Sequence, residues 1–385
     1  MSQLDLNEAH AVFRTSIKYF YKIAYLDFIP NCRFPLFNWL KMSILPLLNV
    51  LAGVISIKTI ISLIGTSYDI VQFLYLIVLP LCYWQAVCKL LFCCVIFRNK
   101  FKDVIEFCND IVQDRNSLMG SVRPSAVVKE LKFGITLGKA FIVCASISLG
   151  AFIISTAQRT NFEFICYFKY PYIERESILY FPLNIGLQAN TLIYTIGFII
   201  YVDAIVFLIA EYFKGEFGTI SKLLLKLNEG LTNVQCKRII FTCYRSHVTT
   251  SNKLKILQEI CWYIYLNQIY TSVLYMCMVL YMMRFGDSSI TFYIVPPGVM
   301  AQICLLCYTG QIIRDGTMEV SDTLGMINWY RLNIVHQKYL ILFMVFAQRS
   351  KGMHTFAFKD LDMTTYLQLL KAIFSYCAFL YTVLS

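Results

Sequence analysis

The chain has 385 residues, of which 58% are hydrophobic, 16% aromatic and only 15% charged; its net charge is +11 and its mean hydropathy +0.61. A soluble domain carries about a quarter charged residues, so this chain lacks the polar surface to enclose a water-exposed globule. The composition defines an all-α integral membrane protein and excludes two or three soluble domains of ordinary type.

Residues 1–35 come first, and AHAVFRTSIKYFYKIAYLDF places Phe13, Ile17, Phe20, Tyr21, Ala24 and Phe28 at helical spacing, with Arg14, Lys18 and Lys22 opposite. The pattern predicts an interfacial helix on the cytosolic leaflet; the alternative is a soluble helix docked on the cytosolic side of the protein. Nothing in this stretch has the apolar core of a cleaved signal peptide.

A helix needs about 20 apolar residues to cross about 30 Å of hydrocarbon. Seven stretches meet this: 36–64, 70–97, 133–157, 180–212, 257–283, 290–313 and 364–384. The first six, within residues 36–313, alternate short outer connections with longer polar inner ones. With the N-terminus inside, the inner segments hold 25 Lys and Arg and the outer segments 4. The bias predicts a cytosolic N-terminus and an extracellular C-terminus. G-protein-coupled receptors run the other way, and neither Asp-Arg-Tyr nor Asn-Pro-x-x-Tyr occurs.

Between the fourth and fifth spans, GEFGTISKLLLKLNEGL carries Phe217, Ile220, Leu224 and Leu227 on one stripe. Residues 314–363 repeat the theme with Leu324, Ile327, Tyr330/Arg331 and Ile334, then a nine-residue apolar run too short to span. Both read as helices below the membrane, a base suited to oligomer contacts. Residues 364–385 form the seventh span, with Lys371 near its inner end, either snorkelling to water or facing an ion exit.

Chemistry is sparse. The four histidines fall in inner segments without metal spacing, and the fifteen cysteines lie mostly in apolar runs, where they act as small hydrophobes. No phosphate loop or nucleophile elbow occurs. The basic residues match anionic lipid headgroups and form no nucleic-acid stripe. The expectation is a protein that is not an enzyme and holds no cofactor or metal.

Charges inside spans are expensive. Lys41, Lys58 and Lys89 read as snorkelling side chains. Asp203, in IIYVDAIVFL, reads as the partner of a basic group or, alternatively, as an ion ligand. It has no acidic counterpart for a proton relay, and no matched pair of broken spans marks a transporter.

The outer halves of the spans hold apolar and small polar residues suited to a small, weakly polar ligand. The candidates are Ile70, Phe73, Leu74 and Ile77 on the second span and Ser148, Ala151, Phe152 and Ser155 on the third. Leu187, Gln188 and Thr191 follow on the fourth, and Phe292, Tyr293 and Pro296 on the sixth. Taken singly, each is better explained by ordinary helix packing.

Three stretches together resemble the insect odorant receptors, seven-span chemoreceptor channels with the N-terminus inside. DMTTYLQLLKAIFSYCAFL is similar to the family's terminal pattern, with Leu370-Lys371 and then Ser375-Tyr376. Asn328-Trp329-Tyr330 with Arg349-Ser350-Lys351 resemble its cytosolic helix and the link to the last span, and YVDAIVFLIAEYFKGEFGTISKLL its fourth-span exit. The related gustatory receptors end on Thr-Tyr, five apolar residues and Gln-Phe; here Ala372-Ile373 stand at the Gln-Phe positions. The short segment 213–256 resembles a ligand-tuning subunit and not the co-receptor, whose loop is longer.

The resemblance implies a non-selective cation channel gated by a small volatile ligand, in the plasma membrane of olfactory sensory neuron dendrites. It implies a heterotetramer with the odorant co-receptor around one cation pore lined by the last span. It places the apolar gate at Phe379 and the next pore positions at Thr382 and Val383, with threonine where the co-receptor has an amide.

Overall fold

In the computed structural model the described residues are 3–24, 35–63, 70–114, 117–159, 166, 180–284, 291–349, 352–356, 358 and 360–384. Among them every regular element is helical. Helix α1 is Gln3–Ala24, α2 Pro35–Leu63 and α3 Ile70–Leu90, which runs on as a π-helical turn, Leu91–Ile96, into α4, Arg98–Gln113. Then come α5 (Leu118–Arg159), α6 (Tyr180–Leu225), α7 (Asn233–Arg284), α8 (Thr291–Gly325), α9 (Ile334–Ala347) and α10 (Met363–Leu384).

Among the described residues, each of the seven apolar stretches lies largely in a helix. By length and composition alone, five helices among the described residues can cross a membrane, with windows in α2, α3 and its π-helical extension, α5, α6 and α8. Helices α7 and α10 fall outside that criterion.

Helices α5 to α8 have 42, 46, 52 and 35 residues. At 1.5 Å per residue α7 extends about 78 Å, far more than a bilayer needs, so each continues beyond its apolar part. The segment 213–256, read as an inner connection, is the end of α6, a short turn and the start of α7. That turn is a 3-10 segment, Lys226–Glu229, closed by Gly230 at φ 74°. Glycine reaches this left-handed conformation without steric cost.

Helix α6 is the centre of the bundle: Phe207, Tyr212, Phe213 and Phe217 are fully buried in it. It meets α5 closely at Gly215, where an added Cβ would lie 2.9 Å from Val127 Cα. The rim is different. Helix α2 leaves Leu47, Val50, Leu51, Val54, Ile57 and Ile61 exposed on its outer side. Such an apolar band is a liability in water and the expected contact with lipid.

The aromatic stripe of α1 lies against the protein. Leu6, Ala9, Phe13, Ile17, Phe20 and Ala24 are all buried, with Phe13 4.9 Å from the Tyr212 ring and Phe20 5.8 Å from both Phe101 and Phe198. The groove between α4, α5 and α6 is itself aromatic, so the stripe gains dense ring packing there. The large apolar residues that α1 leaves exposed are Leu4, Val12 and Tyr19.

His10 anchors this docking: Nδ1 lies 2.7 Å from the Tyr212 hydroxyl. Burial, with the charge of Arg14, lowers its pKa from 6.5 to about 4. The released helix binds a proton below pH 6.5 that the docked one refuses until about 4. Docking therefore weakens as pH falls across that window and is unaffected above it. Protection factors of α1 amides, which correct exchange for its intrinsic rate at each pH, should fall on acidification in the natural protein, whereas those of His10→Gln should show a flat profile. A flat profile in both would refute the coupling.

Candidate functional site

Helices α3, α5, α6, α7 and α8 enclose a cavity of about 110 Å³. Roughly 10–15 Å³ on this measure admits one water, so the space suits a small organic molecule. Phe141, Ala145, Leu149 and Phe152 of α5 and Leu192, Ile196, Ile199 and Ile200 of α6 form apolar walls. Val78, Leu79 and Cys82 of α3 and Val295 and Val299 of α8 complete them. The polar wall groups are Gln85, Ser148, Thr271, Ser272, Tyr275 and Gln302.

Of the residues expected to line a pocket, Ser148 and Phe152 face this cavity. Gln188 is fully buried elsewhere, accepting from the Cys166 amide at 3.0 Å. Thr191 and Ser155 are buried and Pro296 is enclosed, none of them on the cavity wall. Phe73, Ile77 and Ala151 are half-buried, while Leu187 and Tyr293 are exposed, at 40% and 62%. The side chains of Ile70, Leu74, Phe292 and Val383 lie outside the described residues. The cavity thus sits deeper along each helix than the outer-half positions, at 78–85 on α3, 192–200 on α6 and 295–302 on α8, with α7 as a fifth wall.

The signal that could have found this depth is the amide content of the spans. Gln85, Gln268 and Gln302 sit in otherwise apolar helices, where a polar side chain is costly and marks an interior position.

Beneath the cavity lies a buried charge pair. Lys89 of α3 is 1% exposed and its Nζ is 2.5 Å from Asp203 Oδ1 of α6. The ammonium also donates to the Ile199 carbonyl at 3.3 Å. Asp203 Oδ2 accepts from Gln268 Nε2 of α7 at 3.2 Å and Gln302 Nε2 of α8 at 2.9 Å. Lys89, read from sequence as snorkelling, is therefore the basic partner of Asp203. The carboxylate lies near enough to satisfy the ammonium inside the bundle, so the side chain has no need to reach water. Because Gln302 both lines the cavity and holds Asp203, the cavity floor and the ion pair share a residue.

Helix α10 is held from its first turn by α8. Asp362 caps it, accepting from Thr365 N at 2.9 Å and from the Thr364 hydroxyl at 2.5 Å. Arg314 of α8 pairs with the same carboxylate at 2.8 Å. Burial alone would raise the Asp362 pKa; the bonds from Thr364 and Thr365, with Arg314, overcome that and hold it below the usual carboxylate range. Further along, Ile373 is buried while Phe374, Tyr376 and Phe379 are exposed, Phe379 at 61%. Thr382 is exposed too, its hydroxyl bonded to the Phe379 carbonyl.

Among the described residues, an all-helical bundle with an apolar band on its rim and a mostly apolar cavity among its helices is the architecture of a membrane protein. The family model described as 7tm odorant receptor matches residues 91–374, and the chain belongs to that family. No protein of curated function matches its sequence. Among solved structures it is similar to the insect olfactory receptor OR5 from Machilis hrabei in complex with eugenol. The two are 12% identical, with a TM-score of 0.77 over 97% of this chain and 99% of that one. The same receptor without eugenol in its description gives 0.75 at 12% identity, over 96% and 98%. At this identity the likeness is one of fold.

Proposed function

We propose that the chain is the ligand-tuning subunit of an odorant-gated, non-selective cation channel, seven-spanning with its N-terminus inside, assembled with the odorant co-receptor in the plasma membrane. The observation that carries the reading is the mostly apolar cavity at the junction of five helices in a chain of the odorant receptor family. A small volatile compound fits such a space by burying apolar surface, with few polar contacts to orient it. The 25 to 4 charge bias supports the orientation.

Helix α8 supplies the mechanical link. Its residues 295–302 form a cavity wall, and two to three turns on, Gly310 and Arg314 grip the segment that starts α10. A ligand that favours one setting of α8 thereby biases α10, since a ligand shifts an equilibrium by its differential affinity for the two states. The exposed Phe374, Tyr376 and Phe379 suit a helix whose outer face meets neighbouring subunits and a central pore.

Co-expression with a co-receptor in cells lacking chemoreceptors should yield cation currents on exposure to a volatile panel. Silence across that panel, with both subunits at the surface, would overturn the reading. Phe379→Ala should raise basal current several-fold by shortening an apolar constriction that closes by dewetting. Poor expression with unchanged conductance would return Phe379 to a packing role.

A further inference from the structure

We infer that the cavity selects ligands carrying a carbonyl oxygen, which Gln85 and Ser272 bind as paired donors. The inference rests on the reading of the cavity as a ligand site and specifies the class of compound it takes.

Among the described residues the polar groups of the wall divide into two sets. Ser148 Oγ is engaged with the Cys144 and Ile294 carbonyls, Thr271 Oγ1 with the Asn267 carbonyl and Gln302 Nε2 with Asp203. Gln85 Nε2 and Ser272 Oγ have no partner. Both residues line the cavity and are nearly inaccessible, at 6% and 3%. Their helices are joined at this level by the Trp84 Nε1 bond to Asn267 Oδ1, 2.8 Å.

Orphaned polar groups in an apolar interior are expensive, and a helical serine can usually bond the carbonyl four residues back. Thr271 next to it does so; Ser272 does not. Two unfilled donors lining one cavity, from α3 and α7, are both met by an acceptor with two lone pairs and no proton of its own. A ketone, aldehyde or ester oxygen meets that requirement. A hydrocarbon leaves both groups stranded, and a ligand hydroxyl, whose proton Ser272 Oγ can accept, engages both as donors only if its own proton goes elsewhere.

The test compares cyclohexanone, cyclohexanol and methylenecyclohexane, the last an isostere in which CH₂ replaces the oxygen. Two readouts are taken: evoked current of the full chain with its co-receptor, and thermal stabilisation of the purified full chain. Cyclohexanone should be about tenfold more potent than its isostere, the worth of a net buried hydrogen bond. Gln85→Met and Ser272→Ala should each reduce that ratio and the double variant should bring it near one. Surface expression controls for folding, and Ser272→Ala is small enough to leave packing in place.

Equal potency of ketone and isostere in the natural protein, or a ratio that survives in the double variant, overturns the inference and leaves the cavity reading standing. If filling the cavity with Ala145→Phe changes binding of none of the three compounds, both fall. Selective stabilisation by cyclohexanone without current supports the inference and tells against the channel reading alone.

Discussion

Asp203→Ala is expected to remove most of the folded protein from the cell surface. The substitution strands the Lys89 ammonium, 1% exposed, with the Ile199 carbonyl as its remaining acceptor, and takes the acceptor from Gln268 and Gln302. Removing one partner of a buried ion pair costs about 3–5 kcal/mol, a large share of the roughly 5–15 kcal/mol that holds a typical domain folded. The loss should be reversible by chemistry of the opposite kind. Lys89→Met combined with Asp203→Leu removes both charges and should recover much of the surface fraction, because apolar replacements of a buried pair are often neutral or better. Surface labelling and thermal aggregation of a fluorescent fusion would measure both. Natural-like expression of Asp203→Ala would show that water reaches Lys89 and that the pair is dispensable.

Gly310→Ala is expected to be the more damaging of two formally identical glycine changes. At Gly310 an added Cβ would lie 2.0 Å from the Leu361 carbonyl oxygen and 3.0 Å from its carbon. These are backbone atoms of the segment leading into α10, so they cannot rotate aside. Gly138 on α5 meets nothing within 4 Å. Overpacking of side chains typically costs 1–3 kcal/mol, and displacement of backbone should exceed the upper end, about 3 kcal/mol. Gly138→Ala should be neutral or stabilise by up to about 1 kcal/mol from helix propensity. Because the clash falls between α8 and the start of α10, Gly310→Ala protein that reaches the surface should, on the proposed channel function, show altered basal current. Equal stability and conductance of the two variants would mean that α8 and α10 do not hold this spacing in the assembled protein.

The helices themselves were legible because the signal is local. The stretch 364–384 is α10, Met363–Leu384, and 36–64 is α2, Pro35–Leu63; each needs only a run of apolar residues and a break. The nine-residue run after Ile334 is part of α9, too short to span, as its length dictated. The Asp362 cap has a local signal, the carboxylate of DMTT just before the helix, which the sequence reading did not use; the partnership with Arg314 has no such signal.

The site was legible only in kind: an apolar pocket with a few hydroxyls and an amide, near Ser148 and Phe152. Its depth was not. Helices α5 and α6 are apolar on nearly every face within the bundle, so no stripe marks the side that looks inward. At roughly 100° per residue Leu187 and Leu192 lie about 140° apart around α6, and Tyr293 and Val295 about 160° apart around α8, so the unmarked choice of inward side decides which of each pair meets the cavity.

By itself, then, the amino-acid order determined that the chain is a helical membrane protein and roughly where its apolar helices begin, because apolar length is a property of contiguous residues. Only the tertiary structure decided that Lys89 meets Asp203 across 114 positions of chain, that the α1 stripe turns onto its own protein, and that Gln85 and Ser272 share a cavity. Those outcomes depend on helix rotation and tilt, which are settled by packing between distant segments and leave no periodic trace in the sequence.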